Sequence, residues 1–148
     1  MPTTKPLTVV VSSTSSDSHT WNLVFLQLLI EELGHEVANL GACVPPALLA
    51  AECAARRPDL VVLSTVNGHG CQDGPAALAA LRAQPATAAV PVVIGGKLGV
   101  RGRDTAAADD LLAAGFAAVF DGPAEVTRFR AFLAGLGSTA PALAGSPR

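Results

Sequence analysis

Asp17 and His19 stand two residues apart in "SSDSHTWNLVFLQLL", between one apolar segment and the next. An imidazole can ligate a metal through one ring nitrogen while a carboxylate holds the other. That second contact fixes the tautomer and makes the ligand more basic. The same spacing also suits a loop histidine beside a helix-capping aspartate. One histidine does not make a conventional protein metal site, which needs several protein ligands. A metal bound by His19 must therefore arrive mostly coordinated, inside a macrocycle. Three more places carry residue types suited to ligand contact. The Ser64 hydroxyl can bond a buried ligand nitrogen, or satisfy local backbone as a turn serine. Gly95 and Gly96 permit close backbone approach to a flat group, or form a plain strand-to-loop turn. His69, in "NGHG", is a second possible ligand or an exposed turn histidine.

Positioning these groups requires a scaffold, and the chain alternates short β-branched runs with helical patterns. Strands are expected at Leu7–Ser13, His35–Gly41, Asp59–Thr65, Val90–Gly96 and Ala117–Gly122. Helices are expected at Leu23–Gly34, Pro45–Arg57, Pro75–Ala83, Thr105–Gly115 and Ala124–Leu136. This alternation implies an α/β fold: a single flavodoxin-like (Rossmann-like), doubly wound, five-stranded parallel sheet of order 2-1-3-4-5. One domain over 1–136 and a flexible tail over 137–148 are expected, because "GSTAPALAGSPR" is small and Pro/Gly/Ser-rich. In such sheets ligands sit beyond the carboxyl ends of the strands, near the reversal of strand order. "SSDSHTWN", "STVNGHG" and "GGKLG" follow strands one, three and four, which are neighbours in that order.

The first helix has only Gln27, Glu31 and Glu32 as polar residues between Leu23 and Leu33. It is either covered twice, by the sheet and by a ligand or partner, or simply well buried. Trp21, the sole tryptophan, stands at its mouth as a packing residue or a contact surface.

Composition excludes several classes. The chain has 148 residues, 50% of them hydrophobic, enough for a core without disulfides. A net charge of -2 with no basic stripe argues against nucleic acid, and the scarcity of aromatics argues against stacked-base recognition. Apolar runs are too short for a membrane span, and "MPTTKPLTVVV" lacks the apolar region of a signal peptide. Cys43, Cys53 and Cys71 share no CxxC spacing and read as reduced thiols of a cytoplasmic protein.

The spacing of the candidate residues is informative as a set. Asp17-x-His19-x-x-Asn22 is followed by 41 residues, then Ser64-x-Val66, then 28 residues, then Gly95-Gly96. This resembles the cobalamin-binding signature D-x-H-x-x-G … S-x-L … G-G, from Thr8 to about Leu133. Within that group the chain is most similar to the small subunit of glutamate mutase (methylaspartate mutase). Further points of likeness are Asn39-Leu40-Gly41 with Pro45, and Gly68-His69-Gly70.

The resemblance implies roles. His19 would be the lower axial ligand of cobalt, displacing the cofactor's own dimethylbenzimidazole, and Asp17 would hydrogen-bond it. Ser16, Ser18, Thr20 and Asn22 would complete that loop. Ser64 would bond the displaced base, with Thr65 and Val66 in the wall. Gly95 and Gly96 would pack on the nucleotide tail, with Lys97, Leu98, Gly99 and Val100 in the following loop. The departures are Asn22 for the signature glycine, Val66 for leucine and Lys97 for a neutral polar residue. Asn22 tolerates left-handed backbone better than most residues.

The resemblance also implies adenosylcobalamin as cofactor and a role as the cobalamin-binding subunit of a carbon-skeleton mutase. A separate large barrel-type subunit would carry the substrate site, docking around Trp21, Asn67–Gln72 and Lys97–Arg101. Three alternatives stand beside it. An acyl-CoA mutase small subunit fits less well, because the loop before His19 is serine-rich. A corrinoid methyl carrier is expected to have a helical domain before the sheet. A cobalamin-free receiver-like signalling domain needs a phosphoacceptor aspartate where this chain has Ser64-Thr65.

Overall fold

The computed structural model describes residues 6–66, 70–96, 105–121 and 125–145. Among them, strands and helices alternate: β1 (Thr8–Ser13), α1 (Trp21–Glu32), β2 (Glu36–Asn39), α2 (Pro46–Arg56), β3 (Leu60–Thr65), α3 (Gly70–Arg82), β4 (Val92–Gly96), α4 (Thr105–Ala114), β5 (Ala118–Asp121) and α5 (Val126–Gly145). Every strand pair is parallel, in the order β2-β1-β3-β4-β5. This is the expected flavodoxin-like sheet.

The strands are runs of valine, leucine and isoleucine because both their faces are covered. Side chains alternate between two cores. Val10, Val61, Leu63, Val92 and Ile94 pack against Leu49 and Cys53 of α2, Leu78 and Leu81 of α3, and Leu111 of α4. Val9, Val11, Leu60, Val62, Val93 and Phe120 pack against Leu23, Leu29 and Ile30 of α1 and Phe129 and Leu133 of α5. Cys53 is a core residue, its thiol pushed up to about 11 by burial, with the opposing charges of Arg56 and Glu52 as smaller influences. Among the described residues no helix is long and apolar enough to cross a membrane.

Three helices differ from the sequence expectation. α1 begins two residues early, at Trp21, so Asn22 lies in its first turn. α3 begins at Gly70 and carries Pro75 inside it, although proline usually marks a first turn. Packing explains the extension: a Cβ on Gly74 would lie 2.8 Å from Ile94 Cδ1, so the helix can press onto β4 there only through glycine. α5 runs past Leu136 to Gly145, into the segment expected to be a flexible tail. Ala140, Ala142, Leu143 and Ala144 favour the extension, whereas Gly137 and Pro141 within it oppose helix by local propensity.

α1 itself is covered only once. Leu23, Leu29 and Ile30 are buried, while Trp21, Val24, Phe25 and Leu28 are exposed on its outer side. Of the two readings of this helix, burial within the chain itself does not hold, and a covering ligand or partner stays an expectation. A helix can be apolar all round in sequence and still lack a second covering layer.

His35 closes the opposite end of the sheet. Its buried Nδ1 accepts a hydrogen bond from the Leu7 backbone N–H at 3.0 Å, which requires a neutral ring. Burial lowers its pKa below 6.5, outweighing the raising influence of Asp59. The unfolded chain thus takes up a proton that the folded chain refuses. Stability from this group is full above about pH 6.5 and is lost as pH falls from there through the depressed folded value. Urea midpoints should decline over that window. His35→Asn, which keeps an acceptor at the same place, should flatten the decline.

Candidate functional site

The register of the sheet sets a row of unusual residues side by side. Ser13 of β1 pairs with Ser64 of β3, and Ser64 pairs with Gly95 of β4. All three lie at carboxyl ends of adjacent strands, where strand order reverses between β1 and β3. Gly96 has φ 119, and a Cβ there would sit 2.1 Å from the Thr65 carbonyl oxygen. Gly95 is equally confined, by Phe120 of β5. The two glycines are thus demanded by neighbouring strands as well as by any flat ligand.

Asp17 organises the loop between β1 and α1. Its side chain is 1% exposed, yet it carries a charge. Burial raises its pKa, but hydrogen bonds from the Val66 and His19 backbone N–H groups, and then His19's ring, outweigh burial and hold it below 3.8. Oδ2 accepts from Val66 N at 2.5 Å, and Oδ1 accepts from His19 N at 3.0 Å. Its backbone carbonyl accepts from Ser13 Oγ at 2.8 Å and from Cys43 N at 2.9 Å. The bond to His19 N spans two residues, an Asx turn and not a helix cap. The N-cap of α1 is Thr20, whose side chain makes no capping bond.

His19 Nδ1 lies 2.7 Å from Asp17 Oδ1. A carboxylate only accepts, so Nδ1 carries the proton and the lone pair is on Nε2. The His19 side chain is 46% exposed, so that nitrogen belongs to a group open to a ligand. Among the described residues there is no cluster of three metal-ligating side chains.

Between α1 and α5 lies a cavity of about 360 Å³, lined in part by Trp21 and Asn22 of the first turn of α1. Its floor includes Val62, Val93 and the Gly95-Gly96 step, and its walls include Phe25, Leu29 and Phe129. It is apolar, with Trp21, Asn22 and Glu125 as the side chains that bring polar atoms. Asn22 Nδ2 donates to Ser64 Oγ at 2.6 Å. Asn22 is helical, so the left-handed tolerance that sequence suggested is not used; its amide is used instead. Glu125 accepts from Arg128 Nη1 at 2.7 Å, and that guanidinium lies 5.1 Å from the centre of the Phe120 ring.

The remaining expected site residues divide. Ser16 Oγ donates to Asp73 Oδ2 of α3, tying the loop to the next helix. Ser18 and Thr20 are exposed. Thr65 is buried and Val66 half-buried at the end of β3. Lys97, Leu98, Gly99, Val100 and His69 lie outside the described residues. Sequence reasoning missed Phe25, Phe120, Glu125, Val126 and Phe129 as cavity residues. The apolar ones read as core, because a periodic pattern shows burial and not the void beside it. Thr14 Oγ1, buried just after β1, has no hydrogen-bond partner among the described residues.

The fold and site place a half-exposed imidazole and an apolar cavity on the same carboxyl edge of the sheet. The donor set fits a corrinoid: one histidine with a free nitrogen, a carboxylate behind it, and an apolar slot alongside for a planar base. The B12 binding domain family model matches residues 7–129, and the chain belongs to that family. The "Glutamate mutase sigma subunit" of Halobacterium salinarum is 36% identical over 102 residues, 68% of this chain and 65% of that protein. The "HTH-type transcriptional repressor CarA" of Myxococcus xanthus is 40% identical over 88 residues, 59% of this chain and 29% of that protein. The match thus spans less than two thirds of either relative. A cobalamin-binding protein of Desulfitobacterium hafniense superposes with a TM-score of 0.64 at 23% identity, covering 78% of this chain and 53% of that one. A receiver domain of a Syntrophus aciditrophicus histidine kinase does so with 0.65 at 18%, covering 89% and 90%. These two likenesses share the fold and do not separate its uses.

The geometry ranks the dyad. Asp17→Ala strands the Val66 and His19 N–H groups and should cost about 2–4 kcal/mol in urea denaturation at pH 7. His19→Ala, at a half-exposed loop position, should cost under about 1 kcal/mol. Because Asp17 is held below its ordinary pKa, its contribution is present above about pH 3.8 and is lost as pH falls through the depressed value. Asp17→Asn should remove that acid-side loss.

Proposed function

We propose that this chain is the cobalamin-binding subunit of an adenosylcobalamin-dependent carbon-skeleton mutase, with glutamate and 3-methylaspartate as the substrate pair. The observation that carries the reading is the half-exposed His19 paired with the buried Asp17, a carboxylate fixing Nδ1 and leaving Nε2 for cobalt. His19 would be the axial ligand. Asp17 would hold its tautomer and stay ionised behind it. The cavity between α1 and α5 would take the displaced base, with Asn22, bonded to Ser64 behind it, at its polar end and Gly95-Gly96 on its floor. When bound, the cofactor supplies radical chemistry that no side chain of this site can. The relationship to the Halobacterium glutamate mutase sigma subunit favours this enzyme over an acyl-CoA mutase or a methyl carrier.

Such chemistry needs a cover that excludes water and oxygen. A separate large subunit is the fitting cover. The exposed side of α1 suits its docking: Trp21, at 63% exposure, and Phe25 belong both to that surface and to the cavity wall. Gln72 is exposed on α3, while Asn67–Gly70 and Lys97–Arg101 of the expected surface stay part of the proposal.

Equilibrium dialysis should show the chain retaining cobalamin, and the cofactor should protect the β1–α1 loop from proteolysis. The Co(II) form of ¹⁵N-histidine-labelled chain should show the label in its paramagnetic resonance spectrum, and His19→Ala should abolish it. A spectrum blind to both label and mutation would reduce His19 to a loop residue. Assembled with its large subunit and adenosylcobalamin, the chain should interconvert glutamate and 3-methylaspartate; alone it should not. Leu28→Asp should weaken that assembly without loss of cobalamin retention.

A further inference from the structure

The Asn22–Ser64 pair raises a question of which residue reads the bound base. Ser64 is buried at the end of β3 and does not line the cavity, whereas Asn22 does. Asn22 Nδ2 lies 2.6 Å from Ser64 Oγ, so the carboxamide stands between the hydroxyl and the space a base would occupy. Bringing a base nitrogen to Ser64 would break this bond and expel the amide. Leaving the amide in place costs nothing and offers more. One amide N–H is engaged by Ser64; the other N–H and Oδ1 remain for a ligand.

We propose that Asn22 is the base-reading residue of the tail pocket and that Ser64 is a positioning residue, holding the amide in orientation. The inference rests on the cofactor reading above and assigns a preference within it. A benzimidazole presents one ring nitrogen acceptor and meets only the amide N–H. Adenine in such a cofactor is joined to its ribose through N7, which leaves N1 beside the 6-amino group, an acceptor and a donor that can meet both amide edges. The pocket therefore selects cobamides carrying an adenine-type lower base. A glycine at position 22 would uncover Ser64 and leave a site for a single acceptor nitrogen.

The test compares three ligands: dimethylbenzimidazolyl cobamide, adeninyl cobamide, and cobinamide, which lacks the base altogether. Their dissociation constants are measured for the wild-type chain, Asn22→Ala, Ser64→Ala and the double variant, with circular dichroism to verify folding. Alanine preserves the first turn of α1, where glycine would weaken it. The wild-type chain should bind adeninyl cobamide at least as tightly as the benzimidazolyl form. Asn22→Ala should weaken the adeninyl form about tenfold and the benzimidazolyl form no more than about threefold, with cobinamide unchanged. Ser64→Ala, which frees the amide to turn, should weaken the adeninyl form by less than Asn22→Ala does and leave the benzimidazolyl form nearly unchanged. In the Asn22→Ala background, where the hydroxyl is uncovered, it should weaken the benzimidazolyl form about fivefold or more. An equal response of both cobamides to Asn22→Ala, or an equal effect of Ser64→Ala in both backgrounds, would overturn the assignment and leave the cofactor reading standing. Retention of no cobamide by the wild-type chain would overturn both.

Discussion

A single buried carboxylate governs the carboxyl edge of this sheet. Removing the Asp17 charge from water is costly unless hydrogen bonds replace the lost hydration. The donors that replace it come from the ends of different segments: Val66 after β3 and His19 in its own loop. Its main chain meanwhile receives Ser13 and Cys43. The β1–α1 loop, the β2–α2 loop and the end of β3 are therefore braced against one another before any ligand arrives. The orientation of the His19 ring follows from that bracing. A loop without the carboxylate would leave the ring free to turn, and the ligand role proposed for His19 needs one fixed direction.

Much of the architecture was legible because periodicity and topology are strongly coupled in α/β chains. Valine-rich runs too hydrophobic for one-sided burial announced a sheet covered on both faces, and the alternation with helices left few topologies to consider. The start of α3 was less legible. Gly70 to Gly74 reads as a turn by local preference, and only the close approach of Ile94 explains glycine inside a helix. Tertiary packing overrode propensity there.

The site was legible as a set of positions and obscure as a set of contacts. Asp17 and His19 are close in sequence, so their pairing followed from spacing. Asn22 and Ser64 meet across 42 residues, through the pairing of β1 with β3 and the early start of α1. Neither was readable from the residues themselves. The cavity was hidden for a different reason. Phe120 and Phe129 pack edge-to-face at 5.3 Å and read as ordinary core, yet their other sides border open space. The shared fold of receiver domains and cobalamin-binding proteins adds the same lesson at a larger scale: the sheet supplies an edge, and the residues on that edge decide its use.

The bare side of α1 has a consequence for supply. Trp21, Val24, Phe25 and Leu28 recur at helical spacing and form one continuous apolar strip. In dilute solution such a strip is harmless. As concentration rises with nothing to cover it, mass action favours strip meeting strip, and the folded chain becomes its own competitor for whatever surface it is built to meet. If the proposed partner covers this strip, matched amounts of the two chains would keep strip from meeting strip.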